Sequence, residues 1–486
     1  VRALSILAIL AIVASLAAAQ DPGPGYKPIG KLKPRDAKQI ESSNWSVGAE
    51  TMDRDYTIYA NWRKYLGPLG VKKARIQSGW AKTEREKGKY DWAWLDEIVL
   101  DMVGQGVEPW VCLCYGNPIY PGGGGTGLSG GLPASPEAKR AWETFAGLFV
   151  DRYQKHVDEW EIWNEPRGGM KTVDAYTDLV ARTAALIRKR QPNARILVMA
   201  GGAFELPFVD KMLSILGDSG KLDLVDQVTY HPYSYNPDSV YQRVAELRKI
   251  IASYSKTITI RQGENGAPSE GWGFGALTKF DWDERRQAKW AVRRLLGDLG
   301  HDVPSSYFAI CDMAYRVSAR GRDSDLRDDT AQLKLLINHK GLLAINPDRT
   351  INHAKEAYRA VQNVTAVFDD TLKRIDDYPC KVEGGKIEGT YSSFGYRTAG
   401  GQDILTVWRD NDRPGDRPEM DRVTIVVDKA QFDRPVWVDM LTGAVYEIPA
   451  STWTKDASRH TFRDLPVYDS VILIADRSAL TLTEDR

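Results

Sequence analysis

The chain has 486 residues, 43% hydrophobic and 10% aromatic, and its 65 basic and 65 acidic residues give a formal net charge of zero. That is enough apolar material for a large core and a second, smaller one, and the even charge gives no drive toward nucleic acid or an anionic membrane surface. A neutral polymer is the more natural partner.

At the N-terminus, Arg2 precedes an apolar stretch over residues 4–16, and Ala17-Ala18-Ala19 before Gln20 offers the small residues that a signal peptidase accepts. The stretch is shorter than the ~20 residues a membrane span needs. Residues 1–19 therefore read as a cleaved signal peptide. The implied protein is secreted or periplasmic, with no stable membrane span after cleavage. Asp21-Pro22-Gly23-Pro24-Gly25 opens a flexible leader over 20–42.

From 43 to 368, strand patterns alternate with helical ones, which predicts an α/β fold, a parallel (β/α)8 TIM barrel. The eight strands fall near 44–47, 71–78, 107–114, 157–163, 194–200, 222–230, 257–263 and 305–311. Between them, Trp142, Phe145, Ala146, Phe149, Val150 and Tyr153 recur at helical spacing and mark a core face. After a helix over 353–368 the texture changes to short alternating strands near 403–408, 422–427, 435–439, 444–448 and 470–474. This predicts a C-terminal β-sandwich over 369–486. Trp408, Trp437 and Trp453 suit a sandwich core as well as a sugar platform, and structural support is the favoured reading.

Cysteine and histidine point to no metal. Cys112 and Cys114 share one face of a predicted strand and cannot easily bridge, while Cys311 and Cys380 pair only if the two domains bring them together. No cysteine has metal-ligand spacing, and the six histidines include no His-any-His pair.

The chemistry concentrates at two strand ends. The run Trp160-Glu161-Ile162-Trp163 leads into Asn164-Glu165-Pro166; the proline cannot continue strand pairing, so the carboxylate is left at a strand mouth. In a (β/α)8 barrel, catalytic groups sit at such mouths. A second strand ends in Gln262-Gly263-Glu264-Asn265-Gly266. Two carboxylates so placed are what acid-assisted cleavage of a glycosidic bond requires. Glu165 fits the acid/base, which burial and the second carboxylate must keep protonated. Glu161 shares its parity but lies deeper, as a buried partner for a basic group. Trp80, Tyr115, Tyr120, Trp272 and Phe274 fall in loops on the same face, where flat rings suit pyranose C–H surfaces. The Gly-rich segment 121–131 is either a mobile flap or unstructured.

The Asn164-Glu165-Pro166 strand end, the later Glu264, and His231-Pro232-Tyr233 between them resemble the retaining β-glycosidases of glycoside hydrolase clan A. Trp160 to Pro166, with Tyr115-Gly116-Asn117-Pro118, are most similar to family thirty-nine and related bacterial groups, and the resemblance covers roughly residues 43–365. It implies a hydrolase that cleaves O-glycosidic bonds in a polysaccharide or oligosaccharide by double displacement, with no cofactor and no metal. Glu264 would be the nucleophile, with Glu270 close by as its competitor. Asn164 would donate to the sugar 2-hydroxyl, Arg75 would keep the nucleophile ionised, and His231 and Tyr233 would lie beside the sugar. Asn117 joins the substrate contacts through its motif.

One departure is visible. Many clan members carry Trp at the end of the eighth strand, where this chain reads Phe308-Ala309-Ile310-Cys311-Asp312-Met313-Ala314-Tyr315. Tyr315 or Met313 is the expected substitute. The rival readings are a nonhydrolytic polysaccharide-binding pseudoenzyme and a transglycosidase on the same scaffold.

Overall fold

The structure is a computed structural model that describes residues 23–128, 130–317, 334–387, 389–410 and 412–483. The expected signal peptide lies outside the described residues. A first strand, β1 (Lys27–Leu32), precedes the barrel. Eight parallel strands then close on themselves in chain order: β2 (Trp45–Gly48), β3 (Lys73–Gln77), β4 (Glu108–Leu113), β5 (Glu159–Ile162), β6 (Arg195–Met199), β7 (Gln227–Tyr230), β8 (Thr259–Asn265) and β9 (Ser305–Tyr307). All eight expected strands are present within a few residues of their sequence positions. Runs such as Trp110-Val111-Cys112-Leu113 are apolar throughout because each strand is covered on both faces.

The helices pack outside the barrel. The Ser135 hydroxyl accepts from Ala138 N to open helix Pro136–Tyr153, which buries Trp142, Phe145 and Phe149 against the sheet. Helix Glu284–Gly300 is capped by Asp283 and buried on nearly all sides, including Lys289, Arg293 and Arg294. Such burial of charge requires partners: Arg294 finds them within the barrel domain, at Ser234 and Asp298, while a second domain provides those of Lys289 and part of those of Arg293.

Two hairpins, β10 (Met313–Val317) with β11 (Lys334–Asn338) and β12 (Leu343–Ile345) with β13 (Ile351–Ala354), lead to helix Glu356–Val367. Beyond it stand β14 (Lys373–Ile375), β15 (Cys380–Gly384), β16 (Tyr391–Arg397), β17 (Asp403–Arg409), β18 (Asp421–Val427), β19 (Pro435–Asp439), β20 (Ala444–Glu447), β21 (Trp453–Asp456), β22 (Arg459–Val467), β23 (Ile472–Asp476) and β24 (Leu482–Thr483). They form the expected sandwich: a sheet ordered β14-β16-β17-β23-β19-β20-β1-β24 over a sheet ordered β15-β18-β22-β21. The larger sheet alternates with period two. Val436 and Val438 join the barrel-side core, while Trp437 between them faces the smaller sheet.

β1 corrects the expected leader. Residues 27–32 pair antiparallel with β20 and β24, so part of the 20–42 segment is sandwich. The two domains are also tied by buried polar contacts. Lys289 pairs with Asp469 at 2.7 Å, Arg293 binds Asp238 and the carbonyls of Asp410 and Asp412, and Asn363 donates to the carbonyls of Met440 and Leu441. Trp408 and Trp437 are buried, and Trp453 packs against His460 and Phe462, so none of the three forms an open platform. Cys112, Cys114, Cys311 and Cys380 are all free; the pairing left open for the last two is not made. Among the described residues, no helix is long and apolar enough to cross a membrane.

Candidate active site

Every barrel strand delivers side chains to one cleft of about 1110 Å³ at the C-terminal mouth. Glu50 follows β2, Gln77 ends β3, Tyr115 follows β4, and Asn164 and Glu165 follow β5. The loop 202–205 follows β6, His231 and Tyr233 follow β7, Glu264 lies in β8, and Phe308 follows β9. After Ile162 the chain turns through two left-handed residues, Trp163 (φ 67°) and Glu165 (φ 43°). Residues other than glycine rarely adopt that conformation, and here it aims Glu165 into the cleft.

The two glutamates converge through His231. Its Nδ1 lies 2.9 Å from Glu165 Oε1 and 3.6 Å from Glu264 Oε2. Burial disfavours the charged imidazole, but Glu264 and Glu165 outweigh it and the pKa is raised. Gly263 makes room for the ring, since a Cβ there would stand 3.2 Å from His231 Nε2. Glu165 also accepts from Arg167 at 2.9 Å, and the Tyr233 hydroxyl donates to Glu264 Oε1 at 2.7 Å. One ligand atom from each of Glu165, His231 and Glu264 lies within 4.8 Å of the others. Such a trio could hold a divalent cation, but here Arg75 already supplies positive charge beside Glu264.

Arg75 is wholly buried beneath this group and does not line the cleft. It donates to Glu161 at 2.6 Å, Glu50 at 2.7 Å, Asn164 Oδ1 at 2.8 Å and Glu264 at 3.3 Å. Grouped with the substrate-binding residues and expected to act on the nucleophile, it holds the residues that line the cleft and does not line it itself. Glu161 is the buried partner of a basic group, as its parity suggests, and also accepts from the Thr229 hydroxyl at 2.5 Å. Asn164 donates to the Tyr115 hydroxyl at 2.6 Å, so both its ends are fixed.

Three other expected contacts are elsewhere. Trp80 is fully buried, donates to Glu84 at 2.6 Å and stacks on Tyr120 and Phe145; it is core. Asn117 is buried in a turn, donating to the Glu84 carbonyl and accepting from Ile119 N. Trp272 is 72% exposed, bonds Asp281 and does not line the cleft. Tyr315 does line it, packed against Tyr56 and Phe274. The position at the end of the eighth strand is nevertheless taken by Phe308 itself, clustered with Tyr56, Ala309 and Met313. Glu270, the competing nucleophile, pairs with His339 at 3.3 Å and lies outside the cleft. In the Gly-rich segment, Gly125 N bonds the Gly130 carbonyl and Leu128 lines the cleft.

The sequence reading missed Glu50, Arg54, Asn338 and Lys340, which all line the cleft. Burial pushes the Glu50 carboxyl up to about 8, against the pull of Arg75 and with a further push from Glu264. Glu50 lies just past the first barrel strand, so its strand-mouth position was a usable signal. Lys340, in the link between the two hairpins and far from any strand-end motif, gave none.

No protein-family model matches the chain, and no curated protein matches it. Among solved structures it is similar to a family 39 glycoside hydrolase from the gut symbiont Bacteroides cellulosilyticus WH2, at 19% identity and TM-score 0.62, over 92% of this chain and 83% of that one. A monomeric beta-xylosidase from Caulobacter crescentus CB15 matches at 16% identity and TM-score 0.54, over 92% and 97%. A GH30 endoxylanase from Clostridium papyrosolvens C71 matches at 12% and 0.54, over 93% and 98%. The coverage takes in barrel and sandwich together. The likeness expected from the sequence, to clan A near family thirty-nine, therefore holds at the level of fold.

Proposed function

We propose that the protein is a secreted retaining β-glycoside hydrolase, with Glu165 as acid/base and Glu264 as nucleophile. The approach of the two carboxylates carries this reading. One oxygen of each lies within 4.8 Å of the other, a close approach that suits the ~5–5.5 Å carboxyl separation of retaining enzymes better than the ~6.5–9.5 Å that leaves room for an inverting water. Glu264 attacks the anomeric carbon while Glu165 protonates the leaving oxygen. Glu165 then activates the water that releases the sugar. Arg75 and the Tyr233 hydroxyl stabilise the Glu264 carboxylate, His231 orients Glu165, and Phe308 and Tyr315 offer ring faces to the sugar. The names of the similar structures, a beta-xylosidase and an endoxylanase, make β-xylosides the first substrates to try.

Azide separates the two roles. In Glu264→Gly, azide occupies the vacated face and should yield an α-glycosyl azide from an activated β-glycoside. In Glu165→Ala, the nucleophile still forms the intermediate, and azide should give the β-product. Near-native turnover of Glu264→Gly without azide, or release of inverted sugar by the native enzyme in NMR, would overturn the assignment.

A further inference from the structure

The sandwich contains a buried arginine that no carboxylate neutralises. Arg409 ends β17, two residues beyond Val407 and four beyond Leu405, which pack in the core between the two sheets. By the strand period its side chain enters the same space, at the end of the sandwich where the chain leaves β17. It is only 9% exposed, its Nη1 is buried with no hydrogen-bond partner, and no carboxylate pairs with it among the described residues. A guanidinium keeps its charge at any ordinary pH, and a buried charge without a counter-ion is strongly unfavourable.

The nearby acids are engaged elsewhere. Directly across the ladder from Arg409 stands Tyr391, whose hydroxyl donates to Asp421 at 2.9 Å. Asp421 also accepts from the backbone N–H groups of Lys386, Ile387 and Arg422, so four donors fill it. Asp469 is held by Lys289 at 2.7 Å and by Gly415 N at 2.6 Å. What Arg409 lines instead is a cavity of about 280 Å³ walled by the loop after β17. Arg413 and Arg417 from that loop line it too, and both are exposed. The Arg413 guanidinium lies over the rings of Tyr235 and Phe280. Three acids stand in the same wall: Asp416 pairs with Arg286 at 3.7 Å, which leaves Asp412 and Glu419, both exposed, against three guanidinium groups. The cavity therefore carries surplus positive charge, and its most buried donor is unfilled. Its wall is also part of the domain junction, since Arg293 and Asn236 both donate to the Asp410 carbonyl. An occupant would steady that junction.

We propose that this cavity in the sandwich, with Arg409 inside it and Arg413 and Arg417 at its mouth, is an oxyanion-binding site separate from the barrel cleft. A carboxylate, sulfate or phosphate group matches the planar fork of Arg409 through paired charge-assisted hydrogen bonds. Such a group comes either as a small free ion or as a substituent of a glycan chain, and the chemistry of recognition is the same. Calorimetric titration of the full chain tests it, with sodium sulfate, phosphate, acetate and an oligogalacturonate, at ionic strength held constant with sodium chloride. Melting temperature is followed across the same series. At least one of these anions should bind one-to-one and raise the melting temperature above the chloride control. Arg409→Met should weaken that binding by about 10- to 100-fold, the range of a charge-assisted hydrogen bond, and Arg417→Ala should weaken it less. Arg409→Met should also melt no lower than the native protein in chloride alone, because a buried unpaired charge has been removed, and below it once the anion saturates the native site. If Arg409→Met does not fold, Arg409→Lys, which keeps the charge and loses the fork, carries the same test. Binding of small ions alone assigns the site to a free ion. Tighter binding of the oligogalacturonate, with the same dependence on Arg409, assigns it to a glycan substituent. No response beyond chloride from any of the four, or a response that survives the substitutions at both Arg409 and Arg417, overturns the proposal.

Discussion

At the scale of residues, the site is organised around one guanidinium. Arg75 meets three glutamates, Glu161, Glu50 and Glu264, and one positive charge cannot neutralise all three. The raised Glu50 carboxyl resolves the imbalance by keeping its proton near neutrality. This has a thermodynamic signature. An unfolded Glu titrates near 4.5 and Glu50 in the fold near 8, so between these values the native state holds a proton that the unfolded chain lacks. Its contribution to stability is full below 4.5 and is lost as pH rises toward 8. Glu50→Gln keeps the neutral shape and has no such loss. The melting temperature of Glu50→Gln relative to the native protein should therefore climb between pH 5 and pH 8. A gap that stays constant across melts at these pH values would sink the idea. Glu165 and Glu264 could be found from sequence because both stand at strand ends, and Arg75 only through its resemblance to the clan's arginine. Lys340 could not, because its position depends on how the link between the two hairpins packs against the loop that carries Gly275.

At the scale of elements, strands were legible and the loops beyond them only in part. A parallel strand has an apolar run and a two-residue period, and both survive in sequence. Past the strand end no period says where a side chain points. Trp80 and Trp272 both sit in loops on the catalytic face, yet one is sealed in core and the other is 72% exposed. The two should respond to substitution in opposite ways. Trp80→Ala should lower stability by about 3–5 kcal/mol, as for a large buried aromatic, with KM little altered. Trp272→Ala should leave both melting temperature and kinetics near native. A selective rise in KM for either, with stability intact, would return that residue to the substrate.

At the scale of the whole molecule, the sandwich is expected to act as a buttress. Removing it would strip Lys289 and Arg293 of buried partners, and breaking one buried pair costs about 3–5 kcal/mol. It would also bare the apolar faces of helices Glu284–Gly300 and Glu356–Val367. A chain ended at Phe368 should be poorly soluble or melt well below the native protein. Unchanged melting with loss of polymer binding alone would make the sandwich a carbohydrate-binding module.

The placement of β1 sets an order in time. Lys31 pairs with Ala444 on one side and with Thr483 on the other, so this strand leaves the ribosome long before either of its neighbours. At about 5–20 residues per second, that delay is roughly 20–80 s. Throughout it, an unpaired strand edge trails from a barrel whose own strands already have their partners. Whatever escorts the nascent chain must keep that one short segment from finding the wrong sheet.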